Sequence, residues 1–78
     1  MIVRIATLGE FELGYVEPPE DWADRYPNWN DIHKTLDILH QDWFDANPEP
    51  DSDEEFIDYL IMNHGWLRSE HPAINHII

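Results

Sequence analysis

Ile2-Val3-Arg4-Ile5-Ala6 and Glu10-Phe11-Glu12-Leu13-Gly14-Tyr15-Val16, separated by Thr7-Leu8-Gly9, decide the fold class. The second run alternates, with Phe11, Leu13 and Tyr15 on one face and Glu10 and Glu12 on the other. Period-two alternation on either side of a short glycine-bearing turn marks a half-buried β-hairpin. Arg4 is expected across from Glu10 or Glu12. Pro18 and Pro19 end the hairpin, and Pro19 suits the first turn of a short helix reaching Arg25 or Tyr26. Pro27 stops that helix.

Downstream the period changes from two to three and four. Trp29, Ile32, Leu36, Leu39 and Trp43 make one apolar stripe, so a longer helix is expected to run to about Asp45, capped by Asn28 or Asn30. At about 100° per residue, Asp31, Asp37, Asp42 and Asp45 are expected on the opposite side, with Lys34 and Ile38 among them. Asn47-Pro48-Glu49-Pro50-Asp51 is a stiff acidic connector. Ser52 with Glu55 reads as a capping box for a second main helix. That helix carries Phe56, Ile57, Leu60 and Ile61 inward, Tyr59 at the edge, and Glu54, Glu55, Asp58 and Met62 outward. Gly65 is a natural stop. For Ala73 to Ile78 a third strand and a short helix opened by Pro72 both fit. The fold class is therefore α+β: an N-terminal antiparallel β-hairpin, with or without a third C-terminal strand, packed against two main α-helices in a single domain over residues 1–78.

Charge is distributed far less evenly than apolar residues. Of seventeen acids, fourteen lie between Glu17 and Asp58, against only Arg25 and Lys34, so this middle stretch holds twelve of the thirteen net negative charges. Such density destabilises a small compact state by self-repulsion. Ten aromatics and nine isoleucines nonetheless supply a core, which separates the chain from disordered acidic segments. Without cysteine there are no disulfides or thiolate sites. Neither a signal-peptide pattern nor an apolar run of roughly 20 residues is evident, so a cytoplasmic protein is expected. Nucleic acid and anionic membrane surfaces would both repel it; a partner for the acidic stretch is basic.

Asp45, Asn47, Glu49, Asp51 and Asp53 alternate like a calcium loop, but Pro50 stands at the glycine position and Phe56 at the closing glutamate. The histidines His33, His40, His64, His71 and His76 fit no zinc spacing and read as boundary residues, His33 and His40 flanking the apolar stripe. No acid is set in apolar sequence as a general acid requires, save Asp58 between Ile57 and Tyr59, which helical geometry turns outward. No enzyme, metal or cofactor is expected. What remains is a set of carboxylate clusters: Glu20, Asp21 and Asp24; Asp31, Asp37, Asp42 and Asp45; and Glu49 through Glu54, Glu55 and Asp58. Acids three or four apart on a helix sit about 5–6 Å apart, a phosphate-like separation. A solvated face serving solubility or high salt is the plainer explanation of the same clusters.

In size, acidity and single-domain build the chain resembles the small phage-encoded inhibitors that act as DNA mimics, among them several anti-CRISPR proteins and inhibitors of uracil-DNA glycosylase. The likeness is one of composition, carried by the acids between Glu17 and Asp58. It implies a non-catalytic, stoichiometric inhibitor occupying a cationic DNA channel, such as that of a Cascade-type complex. Met1 to Leu13 is also similar to the start of a bacterial domain associated with phage-shock protein A, over one hairpin and no further. The alternative class is an immunity protein, antitoxin or accessory subunit that docks on a basic partner through Ile38, Met62 and Trp66.

Overall fold

Alternation in the first two runs does produce a hairpin, but with one residue too many on its second strand. The computed structural model describes residues 2–7, 9, 11–70 and 74–78. Leu8 of the expected turn, Glu10, and the Pro72–Ala73 opening of the tail lie outside the described residues. Strand β1 (Val3–Ala6) pairs antiparallel with β2 (Glu12–Glu17), matching Val3 with Val16 and Ile5 with Gly14, whereas Ala6 faces Glu12. Leu13 is the extra residue of a β-bulge, and a bulge resets which face each side chain meets. Leu13 and Val16 are buried, Phe11 is 62% exposed, and Tyr15 shares the outer face with Arg4 and Glu12. The expected Phe11–Leu13–Tyr15 face is thus corrected: only Leu13 of the three reaches the core.

Four helical residues, α1 (Trp22–Arg25), follow the Pro18–Pro19 break. Helix α2 (Ile32–Ala46) begins later than the apolar stripe suggests. Its cap is Asp31, whose Oδ1 accepts the Lys34 N–H at 3.2 Å, rather than Asn28 or Asn30. Asn28 serves otherwise, its carbonyl accepting the Thr35 hydroxyl at 2.8 Å. Ile32, Leu36, Leu39 and Trp43 are buried as expected. Trp29 falls in the turn before the helix, 47% exposed and edge-on to Trp22, and leaves the stripe.

Helix α3 (Glu55–His64) is entered through a tight turn. Ser52 Oγ accepts the Glu54 N–H at 3.2 Å, and the amides of Glu55, Phe56 and Ile57 each bond the carbonyl three residues back. The expected capping box is not formed: Glu54 holds the cap position without a side-chain bond, and Ser52 accepts within the turn that precedes the helix. Phe56, Ile57 and Leu60 enter the core, with Ile61 and Tyr59 at its margin. Gly65 stops the helix in the left-handed region at φ 72°, its N–H donating to the Leu60 carbonyl. Reversal there throws Trp66 inward to 1% exposure.

Beyond Trp66 lie two strands rather than one. Strand β3 (Leu67–Ser69) pairs antiparallel with β2, and β4 (Ile74–Ile77) pairs parallel with β1, giving the order β3-β2-β1-β4. The buried side chains form one cluster between this mixed sheet and helices α2 and α3, with Ile57 lying over Gly14. Among the described residues no helix is long and apolar enough to cross a membrane. Because an L side chain at positive φ costs roughly 1–2 kcal/mol, Gly65→Ala is expected to lower the midpoint of urea unfolding with an unchanged slope. A variant as stable as the parent would show that Gly65 is not the stop described here.

Candidate partner-binding face

Among the described acids every carboxylate is exposed except half-buried Glu17. Glu20, Asp21 and Asp24 surround α1, and Asp31 is spent on capping α2. Asp42 and Asp45 lie three apart on the outer flank of α2, where Gln41 Nε2 donates to Asp45 at 2.9 Å. Asp37 departs from them. Roughly 80° of helical rotation separates it from Asp45, and its Oδ1 lies 3.3 Å from Nε2 of His76 on β4. The expected row of Asp31, Asp37, Asp42 and Asp45 therefore reduces to Asp42 and Asp45, which serve neither as a cap nor as the partner of a residue on another element.

Beside the C-terminal end of α2 lies a groove whose lining includes neither of these two. One hollow of about 280 Å³ lies between α2 and α3, lined by Trp43, Tyr59 and Met62 with Glu55, Asp58, Asn47 and Asn63. A second, of about 470 Å³, is walled by Pro48, Glu49, Pro50 and Asp51 and shares Asn47 and Glu55 with the first. Neither is lined by a Lys or Arg. Glu54 stands exposed at the head of α3 beside them. The connector's prolines keep Glu49 and Asp51 on this wall, since each fixes its own φ and biases its predecessor toward extended backbone.

The arginines are engaged on the margins. Arg4 Nε contacts Glu12 at 3.1 Å, Arg25 Nε contacts Asp21 at 3.1 Å, and Arg68 lies 3.5 Å from Asp58. The Tyr15 hydroxyl, and after it Arg4, hold the Glu12 carboxyl below its usual value. Asp21 and Asp58 are thus partly neutralised, yet both pairs are exposed and therefore weak and salt-sensitive. Asp58 is the one groove carboxylate with an internal cation.

Behind the groove runs a polar network that the sequence pattern does not reveal. Trp66 Nε1–H donates to Tyr26 Oη at 3.1 Å; Tyr26 Oη lies 3.1 Å from His64 Nδ1, and His64 Nε2 lies 3.0 Å from Tyr59 Oη. A neutral His64 serves both hydroxyls, donating through one nitrogen and accepting at the other. Burial, then the nearby Arg25, lowers the proton affinity of His64. Arg25 also donates to the His64 carbonyl, which ties α1 to the end of α3. Trp66 is consequently a core residue and not a docking anchor, because its indole N–H is consumed inside the fold. Ile38 and Met62 do stay outside, at 44% and 81% exposure. Spacing gave no hint of this network, because Tyr26, Tyr59, His64 and Trp66 belong to different segments.

Among the described residues no group of three or more His, Asp or Glu is placed to hold a metal ion. No family model, curated protein or solved structure matches the chain.

Tyr26→Phe leaves the Trp66 N–H and one His64 nitrogen without their shared partner, and is expected to cost about 1–3 kcal/mol in denaturant unfolding at neutral pH. The pH dependence has a definite sign. A histidine held neutral by folding contributes fully above its ordinary value of about 6.5, and the contribution fades as pH falls below it toward the lowered folded value. In His64→Gln the loss of stability between pH 7 and 5 should be shallower than in the parent. An identical slope would remove His64 from the acid response.

Proposed function

We propose that this chain is a non-catalytic inhibitor that imitates nucleic acid and occupies a cationic DNA-binding site on a partner protein, a CRISPR effector complex being one such target. The observation that supports the reading best is the groove between α2, the connector and α3, bordered by Glu49, Asp51, Glu55 and Asp58 and lined by no cation. Asp42 and Asp45 extend its charge along α2. Carboxylates three apart on a helix are about 5–6 Å apart, close enough to stand in for successive phosphates. A Lys/Arg-lined channel would relieve the mutual repulsion of these acids and release the counterions held by both surfaces. On this reading the protein acts in the cytoplasm, needs no cofactor, and touches neither nucleic acid nor membrane.

A second reading keeps the basic partner and changes the anchor. Met62, at the groove rim, and Ile38, one turn before Asp42 on α2, are exposed apolar side chains of the kind that dominate immunity-protein, antitoxin or accessory-subunit interfaces. There charge mainly speeds association.

Charge neutralisation separates the two. Asp37 is tied to His76, so the informative triple variant is Asp42→Asn, Asp45→Asn, Glu55→Gln. At about 1 kcal/mol per charge, it should weaken binding to the cationic partner roughly 100-fold while leaving thermal stability equal or higher. Binding of the parent should also fall steeply as salt rises. A triple variant that binds as tightly as the parent, alongside a Met62→Ala variant that does not, would replace the first reading with the second.

A further inference from the structure

His76 belongs to neither the groove nor the Tyr26 network. It sits on β4 opposite Ile5 of β1, only 4% exposed, with its Nδ1 2.8 Å from Nδ1 of His33 and the two rings meeting edge to edge, 24° apart in plane. Its Nε2 lies within ion-pair distance of Asp37 but off any hydrogen-bond line, and is otherwise a buried nitrogen without a partner. We propose that Asp37, His76 and His33 form an acid-operated latch, which keeps β4 on the sheet at neutral pH and releases it when the cluster takes up a second proton.

Two ring nitrogens at 2.8 Å have room for one hydrogen between them. The Asp37 carboxylate decides where it comes from. A lone pair on His76 Nε2 would face that carboxylate, so Nε2 carries the hydrogen, Nδ1 of His76 accepts, and Nδ1 of His33 donates. A proton placed on the outer nitrogen of His33, Nε2, leaves this bond intact. A second can only enter at Nδ1 of His76, setting two N–H groups head-on between two like charges. The rings must then part.

The groups facing His76 make parting costly to avoid. From α2 come Asp37, His33 and His40, one anion that favours a charge on His76 against two further histidines that oppose it. From β1, Arg4 lies across from Asn75 on the opposite face and is engaged by Glu12. Burial opposes a charge on His76 more than Asp37 favours one. The latch therefore contributes fully above about pH 6.5 and weakens as pH falls below it. Strand β4 is the element free to respond, because it is an edge strand laddered to β1 alone. Its departure uncovers the backbone groups of β1, a template for another strand.

Amide hydrogen exchange of the full chain at pH 7.5 and 5.0, corrected for intrinsic exchange, tests the proposal. Protection of the amides that donate from the β4 segment to the β1 segment, Ile74 and Ile78 among them, should drop at least tenfold in acid while the β1–β2 ladder keeps its own. Unchanged β4 protection, which would mean that His33 swings into solvent and the strand stays, overturns the latch. Equal loss in both ladders, signifying global acid unfolding, overturns it too. In His33→Asn the side-chain amide can still donate to His76 Nδ1 without titrating, so the acid step at β4 should shrink; a step of full size assigns the effect elsewhere and ends the proposal. If that variant does not fold, the contrast between the two ladders of the parent decides alone.

Discussion

A net charge of −13 on 78 residues obliges nearly every carboxylate to keep its water, and the rest of the fold answers to that obligation. Burying an unpaired carboxylate costs more than a domain of this size can recover. Apolar side chains from β1, β2, α2, α3 and Trp66 are accordingly gathered in one cluster, and the acids are left on the outer flanks of the helices and along the connector. Arginines are placed where the chain changes direction: Arg4 across the hairpin, Arg25 between α1 and the end of α3, Arg68 from β3 to α3. They staple segments together, and of the groove's carboxylates they reach Asp58.

Apart from Thr35, bound to the Asn28 carbonyl, the buried polar side chains described gather at two small sites at the edges of the core. One is the Trp66–Tyr26–His64–Tyr59 chain, closed in the neutral state of His64. The other is the His33–His76 pair with Asp37. Each depends on a histidine that burial keeps neutral, so both join the sheet and helices most firmly in the pH range where the acids are fully ionised. Charge outside and neutrality inside are thus maintained by the same conditions.

How much of this was legible in sequence depends on what carried the signal. Period-two and period-three-to-four patterns located the hairpin, α2 and α3, and Gly65 marked a stop that the left-handed backbone realises. Leu13's bulge was invisible because an inserted residue preserves local alternation on both sides of itself. Strand β3 was missed since Leu67-Arg68-Ser69 is too short to show a period and its one apolar side chain points to solvent. Trp29 was drawn into a stripe by spacing alone, although the helix begins only after Asp31. The acidic clusters were plain, but their division of labour was not. Asp31 caps, Asp37 meets a histidine from the far end of the chain, and Asp21 and Asp58 meet arginines; only the fold distinguishes these from Asp42, Asp45 and the connector acids.

The central claim is that this groove takes the place of nucleic acid in front of a cationic site, and competition measures that most directly. A basic partner retained on the immobilised protein at low salt would be challenged with increasing duplex DNA. Mutually exclusive binding is expected, with DNA displacing the partner from the immobilised protein. A stable ternary complex, in which the partner holds DNA and this protein together, would contradict it.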